Sequence, residues 1–494
     1  MTHETDVVVI GGGIAGLVTA WQLARHGVQV EVYESAGHLG GALVSHHVAG
    51  LELNSGAEAF AVANDHVFSL VDALGLGEHV VHPRTGTSWI LNVRGAFPSP
   101  VGGYLGIPSN PLADDVVRVI GREAAEHAMA DAMMGPEAGY RPGISLGEYV
   151  SNRMGRSVRT LLVEPVAGGV HSTSPDLLEL DSIAPKLHPA VLEHGSLQAA
   201  IKGLRTNARP GAAVASLAPV IDLLPRTLAE QIRLAGGRFH TRANVRKVVP
   251  AKGGGWTVVL DDGTVHADQV VVTTPAQVTQ RLLAEVTDVA ESIPALPSSP
   301  VALATLVVDD ERLDASPRDN GALVASHTPG IVAKALTHAT AKWDHIRRAA
   351  EDSAPGQHRH VLRLSYGRSG EPVPTPSELP DLALNDARRI LGVHLPREAV
   401  AAVDLTLWGA TMTQARPGHQ SALQEVAGRL SNHPGLAITG AWMAGTGIAA
   451  ITNHARRVGD YLTGLKPFHP VSAAAPVQPH STRPTDTPTT EEPA

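Results

Sequence analysis

DVVVIGGGIAGLVTAWQLARHGVQVEVYE, residues 6–34, is the stretch that decides the fold. Asp6 to Ile10 is a short, mostly β-branched run, as a buried strand requires. GGGIAG (residues 11–16) breaks it, and the chain continues with helical spacing that puts Trp21 on a core face with Ile14, Leu17 and Val18. Gly11 allows the tight turn, Gly13 lets backbone approach a pyrophosphate, and Gly16 lets helix and strand pack closely. The helix start, Ile14 and Ala15, offers free N–H groups and the positive dipole end to phosphates. A second strand, VQVEVYE, ends in Glu34, where a carboxylate can accept from ribose hydroxyls with Ser35 beside it. Strand, glycines, helix, strand and acid in this order specify a dinucleotide site; the glycines alone would not.

Beyond Glu34, ESAGHLGG places Gly40 and Gly41 where backbone can approach the dinucleotide a second time. The far end of the chain returns to the same pattern. GLAITGAWMAGTGIAAITNHARRVGDYL (residues 435–462) runs from a strand through Gly440, Trp442, Gly445 and Thr446 into a helix opening at Gly447 or Ile448. Its N–H groups could face the electron-rich edge of an isoalloxazine. Two ends that share one nucleotide site imply that the middle is inserted as the substrate part.

Composition fits a multi-domain enzyme. The chain has 494 residues, 43% of them apolar, enough for a sizeable core. A net charge of −9 gives no pointer to nucleic acid or to an anionic membrane surface. The absence of cysteine excludes disulfides, iron–sulfur ligation and a cysteinyl flavin link. The 25 histidines lack ligand spacing, so no metal is expected. With the first strand read from Asp6, no signal peptide is expected, and no apolar run reaches transmembrane length. A cytoplasmic protein is expected. Residues 466–494 are a Pro/Thr/Ser/Ala tail without periodicity, expected to be disordered.

Between the two ends, residues 84–111 are Gly/Pro-rich with short strands, and residues 112–200 are mostly helical. PVIDLLPRTLAEQIRLAGG reads as an amphipathic helix with Ile221, Leu224, Leu228 and Ile232 on one side. Alternating strands follow, with turns at Gly253–Gly255 and Asp262–Gly263. SIPALPSSP then marks a boundary, and strands and helices mix over residues 300–423.

Five ordered segments are similar to the bacterial FAD-dependent coproporphyrinogen III/protoporphyrinogen oxidases, within the flavin monoamine oxidase superfamily. GGGIAGL with ESAGHLGG resembles the wider superfamily's FAD extension, ExxxRxGG, whose Arg falls on His38 here. GAEAFAV (residues 56–62) resembles a stretch beside the flavin, and LGIPSNPL (105–112) resembles a further segment of the oxidases. EPVAGGVHSTSPDLLEL (164–180) resembles PVxGGVYSxDPxxLE, LWGATMTQARPGH (407–419) resembles RWxxALPQYxxGH, and GAWMAGTGIAA resembles the C-terminal flavin segment. The Arg, Pro and Tyr of the fourth motif become Leu407, Thr413 and Ala415, and a glycine pair near residue 220 becomes Ala218-Pro219. Turnover could be weakened or re-purposed by these changes.

The resemblance implies an α/β protein with a discontinuous Rossmann-type FAD-binding domain (residues 1–62, 203–292 and 424–465). A mixed α+β substrate subdomain (63–92 and 293–423) and a helical, membrane-type substrate subdomain (93–202) are inserted into it. It further implies non-covalent FAD held by the residues named above together with Gly56, Ala57, Glu58, Ala59, Val245 and Trp408. A porphyrinogen is the implied substrate and O2 the acceptor, in haem biosynthesis, with room for peripheral membrane contact or contact with other haem-pathway enzymes. The chemistry demands no dedicated acid or base, since the flavin takes hydride and the protein positions and dehydrates. His171 is either a polar group facing the cavity or a structural histidine. Trp408 and Trp442 are either cofactor and substrate walls or core. Two alternatives stand beside this one: another oxidoreductase of the superfamily, acting on an amine or polyene, and a flavin-binding protein without turnover.

Overall fold

The computed structural model describes residues 3–206 and 213–464. The tail expected to be disordered, 466–494, lies outside the described residues.

The β-branched run His3–Ile10 is the centre of a seven-stranded sheet. Val30–Glu34 pairs parallel on one side, followed by Arg238–Thr241, and Thr264–Val272 pairs parallel on the other. Leu436–Ile438 pairs with Val270–Val272 on the far side of that strand, also parallel, so the two ends of the chain lie two strands apart in one sheet. An antiparallel pair, Trp256–Leu260 and Val245–Pro250, completes it. Both faces are covered, which is why the central strands read as continuous hydrophobic runs without alternation. On one face lie the helices Ile14–Ala24, Leu223–Leu234 and Ile448–Leu462, sharing a core of Leu17, Leu23, Val32, Leu228 and Ile451. On the other, Trp256, Val258, Leu423, Val426 and Trp442 form a second core.

A second seven-stranded sheet has the order Val400–Thr413, Ser298–Asp309, Arg359–Tyr366, Ala335–His338, Gly321–Val324, Trp89–Asn92, Gly95–Pro98. The helix Leu379–Leu391 covers one face through Leu379, Ala383, Ala387 and Ile390, the apolar stripe its spacing encodes.

The third unit is helical, from Asp114 to Thr206, and includes a ten-residue π-helical stretch, Arg159–Gly168, with Pro165 inside it. Its charged centre is Asp131, fully buried against Arg153. The Asp131 carboxylate accepts from Arg153 Nε at 2.6 Å and from the N–H groups of Leu197 and Gln198 at 3.1 and 2.9 Å. It thus starts the helix Leu197–Thr206 from another segment.

Three details differ from the expected division. The helix His66–Ala73, expected with the substrate part, packs into the nucleotide-side core through Val67, Leu70 and Val71. The hairpin formed by Trp89–Asn92 and Gly95–Pro98 crosses the expected boundary at residue 92, because its strands pair with each other and extend the second sheet. The boundary at 424 falls inside the helix His419–Leu430, whose Leu423 and Val426 belong to the nucleotide-side unit.

Candidate functional site

The first strand stops because Gly11 turns it at φ +110°, donating its N–H to Tyr33 O at 2.8 Å. Thr273, at the end of the neighbouring strand, locks that turn: its hydroxyl donates to Ile10 O and Gly11 O at 2.9 and 3.0 Å. A β-carbon on Gly16 would stand 1.9 Å from Gly11 O, so only glycine permits this approach of helix to strand. Gly13 is extended and precedes the helix, and the side chains of Ile14 and Ala15 are buried, so the first turn presents backbone alone.

Glu34 sits beneath this loop. One carboxylate oxygen accepts from Gly12 N–H at 2.7 Å, and the other from Ala36 N–H at 2.7 Å and from the Ser35 hydroxyl at 3.3 Å. The second glycine pair closes from the opposite side. Gly40 N–H donates to Gly12 O at 2.8 Å, and a β-carbon on Gly41 would lie 3.1 Å from the Gly13 α-carbon. Both have positive φ, +104° and +60°. Gly13 and Gly41 therefore meet backbone to backbone where side chains would hold the two segments apart, and Gly16 serves the packing of helix on strand. Arg242, which sequence reasoning missed, places its guanidinium beside Gly37, 3.2 Å from where a β-carbon there would stand. Val245, three residues on, is half-buried at the start of its strand, opposite Leu260.

The C-terminal return meets the same place. Thr439 N–H donates to Val272 O at 3.0 Å, and a β-carbon on Gly440 would lie 3.4 Å from Thr273 O, so Gly440 and Gly11 flank one threonine. Gly440 and Gly445 take φ of +125° and +97°. Thr446 is half-buried, Gly447 is exposed, and Ile448 opens the last helix. That helix crosses the first, with the Thr19 hydroxyl donating to Ala455 O at 3.3 Å.

Gly56 completes the inner wall. A β-carbon there would collide with Ala42 O at 1.9 Å and meet the Trp408 ring at 3.1 Å, while the Trp408 indole donates to Ser55 O at 2.9 Å. Ala57 N–H donates to Ala42 O at 2.8 Å, and the half-buried Ala57 and Ala59 pack against two different cores. The side chain of Glu58 does something else. It accepts from Lys342 Nζ at 2.8 Å and from the Trp343 indole at 2.6 Å, and pairs with Arg363 at 3.4 Å. Arg363 also donates to Gly56 O. Burial alone would raise the Glu58 carboxyl, but Lys342 and Arg363 outweigh it and hold the group at about 2. Glu58 thus ties the turn to the second sheet instead of presenting a free carboxylate.

Of the two readings of Trp442, the structure shows the core one. It is 2% exposed, packs in the core beneath the first sheet and donates its indole N–H to Thr274 O at 3.1 Å, so it walls no open cleft. His171 ends the short helix after the π-helical stretch, half-buried, and burial lowers its imidazole to about 4. It is neutral at physiological pH. The residue after it, Ser172, accepts from Lys334 Nζ, which also donates to Gly367 O at 3.1 Å. Arg416 is half-buried and donates only to Gln414 Oε1, at 3.2 Å, with no carboxylate partner among the described residues. An open cleft of about 640 Å³ between Arg94 and the helical unit's Arg122, His127 and Arg156 contains none of the residues above. Among the described residues no group of His, Asp or Glu could hold a metal ion, and no helix is long and apolar enough to cross a membrane.

The pattern of the family described as flavin containing amine oxidoreductase matches residues 14–459. The coproporphyrinogen III oxidase of Mycobacterium tuberculosis is 30% identical over 469 residues, covering 91% of this chain and 95% of that protein. The coproporphyrinogen III oxidase of Bacillus subtilis is 25% identical over 481 residues, covering 94% and 99%. A solved structure from Exiguobacterium sp. 255-15 superposes with a TM-score of 0.79 at 23% identity, covering 94% and 100%, and cyclohexylamine oxidase from Brevibacterium oxydans IH-35A with 0.65 at 16%, covering 93% and 99%. The chain belongs to the flavin containing amine oxidoreductase family, and bacterial coproporphyrinogen III oxidases are similar to it along nearly their whole length.

Proposed function

We propose that this protein is a cytoplasmic, oxygen-dependent oxidase that converts coproporphyrinogen III to coproporphyrin III in haem biosynthesis, using FAD held without a covalent link. The observation that carries the reading is the close backbone approach of residues 11–16 and 40–41 at the start of the first helix, which the strand and helix at the far end of the chain flank. FAD, if bound there, would supply the hydride acceptor for the substrate and the route for its electrons to oxygen. Removing six electrons in three two-electron steps consumes three O2 and releases three H2O2.

The chain's own residues position and dehydrate. The glycine loops take the pyrophosphate, Glu34 stands at the ribose end, and the turn 440–447 brings the last helix's N-terminus toward the flavin. Trp408 and Gly56 close the inner wall. His171, neutral through burial, adds a polar group to the substrate side without adding charge. Arg416, a guanidinium without a carboxylate partner among the described residues, takes a substrate carboxylate. Amine oxidation is disfavoured because Trp442, the aromatic residue of the C-terminal flavin segment, is in the core.

The test is porphyrin fluorescence and peroxide release from coproporphyrinogen III in air, with FAD-loaded protein. Wild type should produce both, and Arg416→Met should raise KM several-fold while kcat changes less. FAD-loaded protein that yields neither product would refute the oxidase reading.

A further inference from the structure

Past Glu34 the chain leaves the sheet, and a second loop, between the strands Arg238–Thr241 and Val245–Pro250, lies across it. Two backbone bonds hold the loops together: Arg242 N–H donates to Ala36 O and Ala243 N–H to Glu34 O, both at 2.9 Å. Any residue except proline can make such bonds, so the bracing needs no arginine side chain. Arg242 nevertheless stands at φ +55°, a left-handed conformation that glycine or asparagine takes with less strain. Its exposed guanidinium lies against the backbone at Gly37, where a β-carbon would stand 3.2 Å from both Nε and Nη2, so the missing side chain makes the room.

The cations around it are engaged. On the two strands and on the helix Leu223–Leu234, whose Pro225 reaches Gly40, Arg226 pairs with Asp222 and Glu52, Arg238 with Glu31, Arg246 with Asp261 and Lys247 with Glu285, while Arg233 lies over the Phe239 ring. His38, exposed on the loop itself, meets only Leu39 O, at 3.4 Å. The Glu34 carboxylate is met by neutral donors, Gly12 N–H, Ala36 N–H and the Ser35 hydroxyl. Arg242 has no carboxylate partner among the described residues, although it is held one loop away from the acid at the ribose end.

We propose that Arg242 is a further cofactor-binding residue, whose guanidinium takes the adenine-nucleotide half of the flavin dinucleotide. The inference rests on the flavin reading above and adds a contact at the end of the cofactor far from the isoalloxazine. A guanidinium suits that end: its planar fork donates to ribose and phosphate oxygens and its face stacks on an aromatic base, whereas an ammonium offers only a point charge.

The experiment uses FAD-loaded, full-length wild type, Arg242→Met and Arg242→Lys. Dilution, read by the fluorescence of released FAD, gives the FAD dissociation constant. Added ADP, which carries the adenine nucleotide without the flavin, then displaces FAD and gives its own constant. Arg242→Met should weaken FAD and ADP alike by about ten-fold, the loss of one charge-assisted contact, and leave the visible spectrum of the bound flavin unchanged. Arg242→Lys should fall between. Unchanged constants for FAD and ADP in Arg242→Met would overturn the assignment. So would a loss for FAD that ADP does not share, or a shifted flavin spectrum, since either would mark a disturbance outside the adenine-nucleotide end. Wild type that takes up no flavin would overturn the flavin reading, and the assignment with it.

Discussion

Replacing Glu58 by Gln would remove one charge from a buried cluster while keeping shape and one acceptor oxygen. In the wild type the Glu58 carboxyl lies at about 2 against an ordinary 4.5, with Lys342 at 2.8 Å, Trp343 at 2.6 Å and Arg363 at 3.4 Å. At about 1.4 kcal/mol per pH unit the difference is worth about 3 kcal/mol of stability at pH 7. Leaving Lys342 and Arg363 buried and uncompensated gives a figure of the same size, about 3–5 kcal/mol. The sign follows from the lowered value: the stabilisation is complete above about pH 4.5 and fades as pH falls toward 2. Urea unfolding of Glu58→Gln should therefore show a loss of about 3 kcal/mol at pH 7 that shrinks to less than about half at pH 3. Adding Lys342→Met to the variant should recover part of the loss, since one unpaired cation is removed. Equal unfolding of variant and wild type at pH 7, or a gap that does not change with pH, would refute the assignment.

Two further outcomes follow from the glycine contacts and the core. Gly16→Ala puts a methyl 1.9 Å from Gly11 O, so helix and strand must separate; the purified variant should carry little flavin, and full flavin absorbance would show that the contact is not needed. Trp442→Phe removes a donor to Thr274 O at 3.1 Å in a buried site, costing about 1–3 kcal/mol in unfolding while leaving the kcat for porphyrinogen within a few-fold; a collapse of flavin binding would restore Trp442 as a cofactor wall.

What was legible in the sequence was local. The strand, glycines, helix and acid of residues 6–34 fall within one βαβ stretch, where spacing alone sets which atoms meet. The C-terminal strand–glycine–helix unit was legible for the same reason. That it shares one nucleotide site with residues 11–16 is an inference from the pattern, and the sheet pairing of Leu436–Ile438 with Thr264–Val272 supplies the geometry. Glu58 was flagged through its motif, but its partners are 284 and 305 residues away, and no local pattern announces such a cluster. Trp442 was ambiguous because an aromatic residue after a glycine turn packs inward or outward according to what lies beneath it, here Thr274 and the second core. His66–Ala73 is amphipathic like any surface helix, so its pattern shows that it covers something without saying which sheet.

The most direct measurement is anaerobic titration of the FAD-loaded protein with coproporphyrinogen III, followed by admission of air. The account predicts loss of the oxidised flavin bands as substrate is added, their return with oxygen, and porphyrin fluorescence rising in step. A flavin that stays oxidised with both coproporphyrinogen III and protoporphyrinogen IX would contradict it.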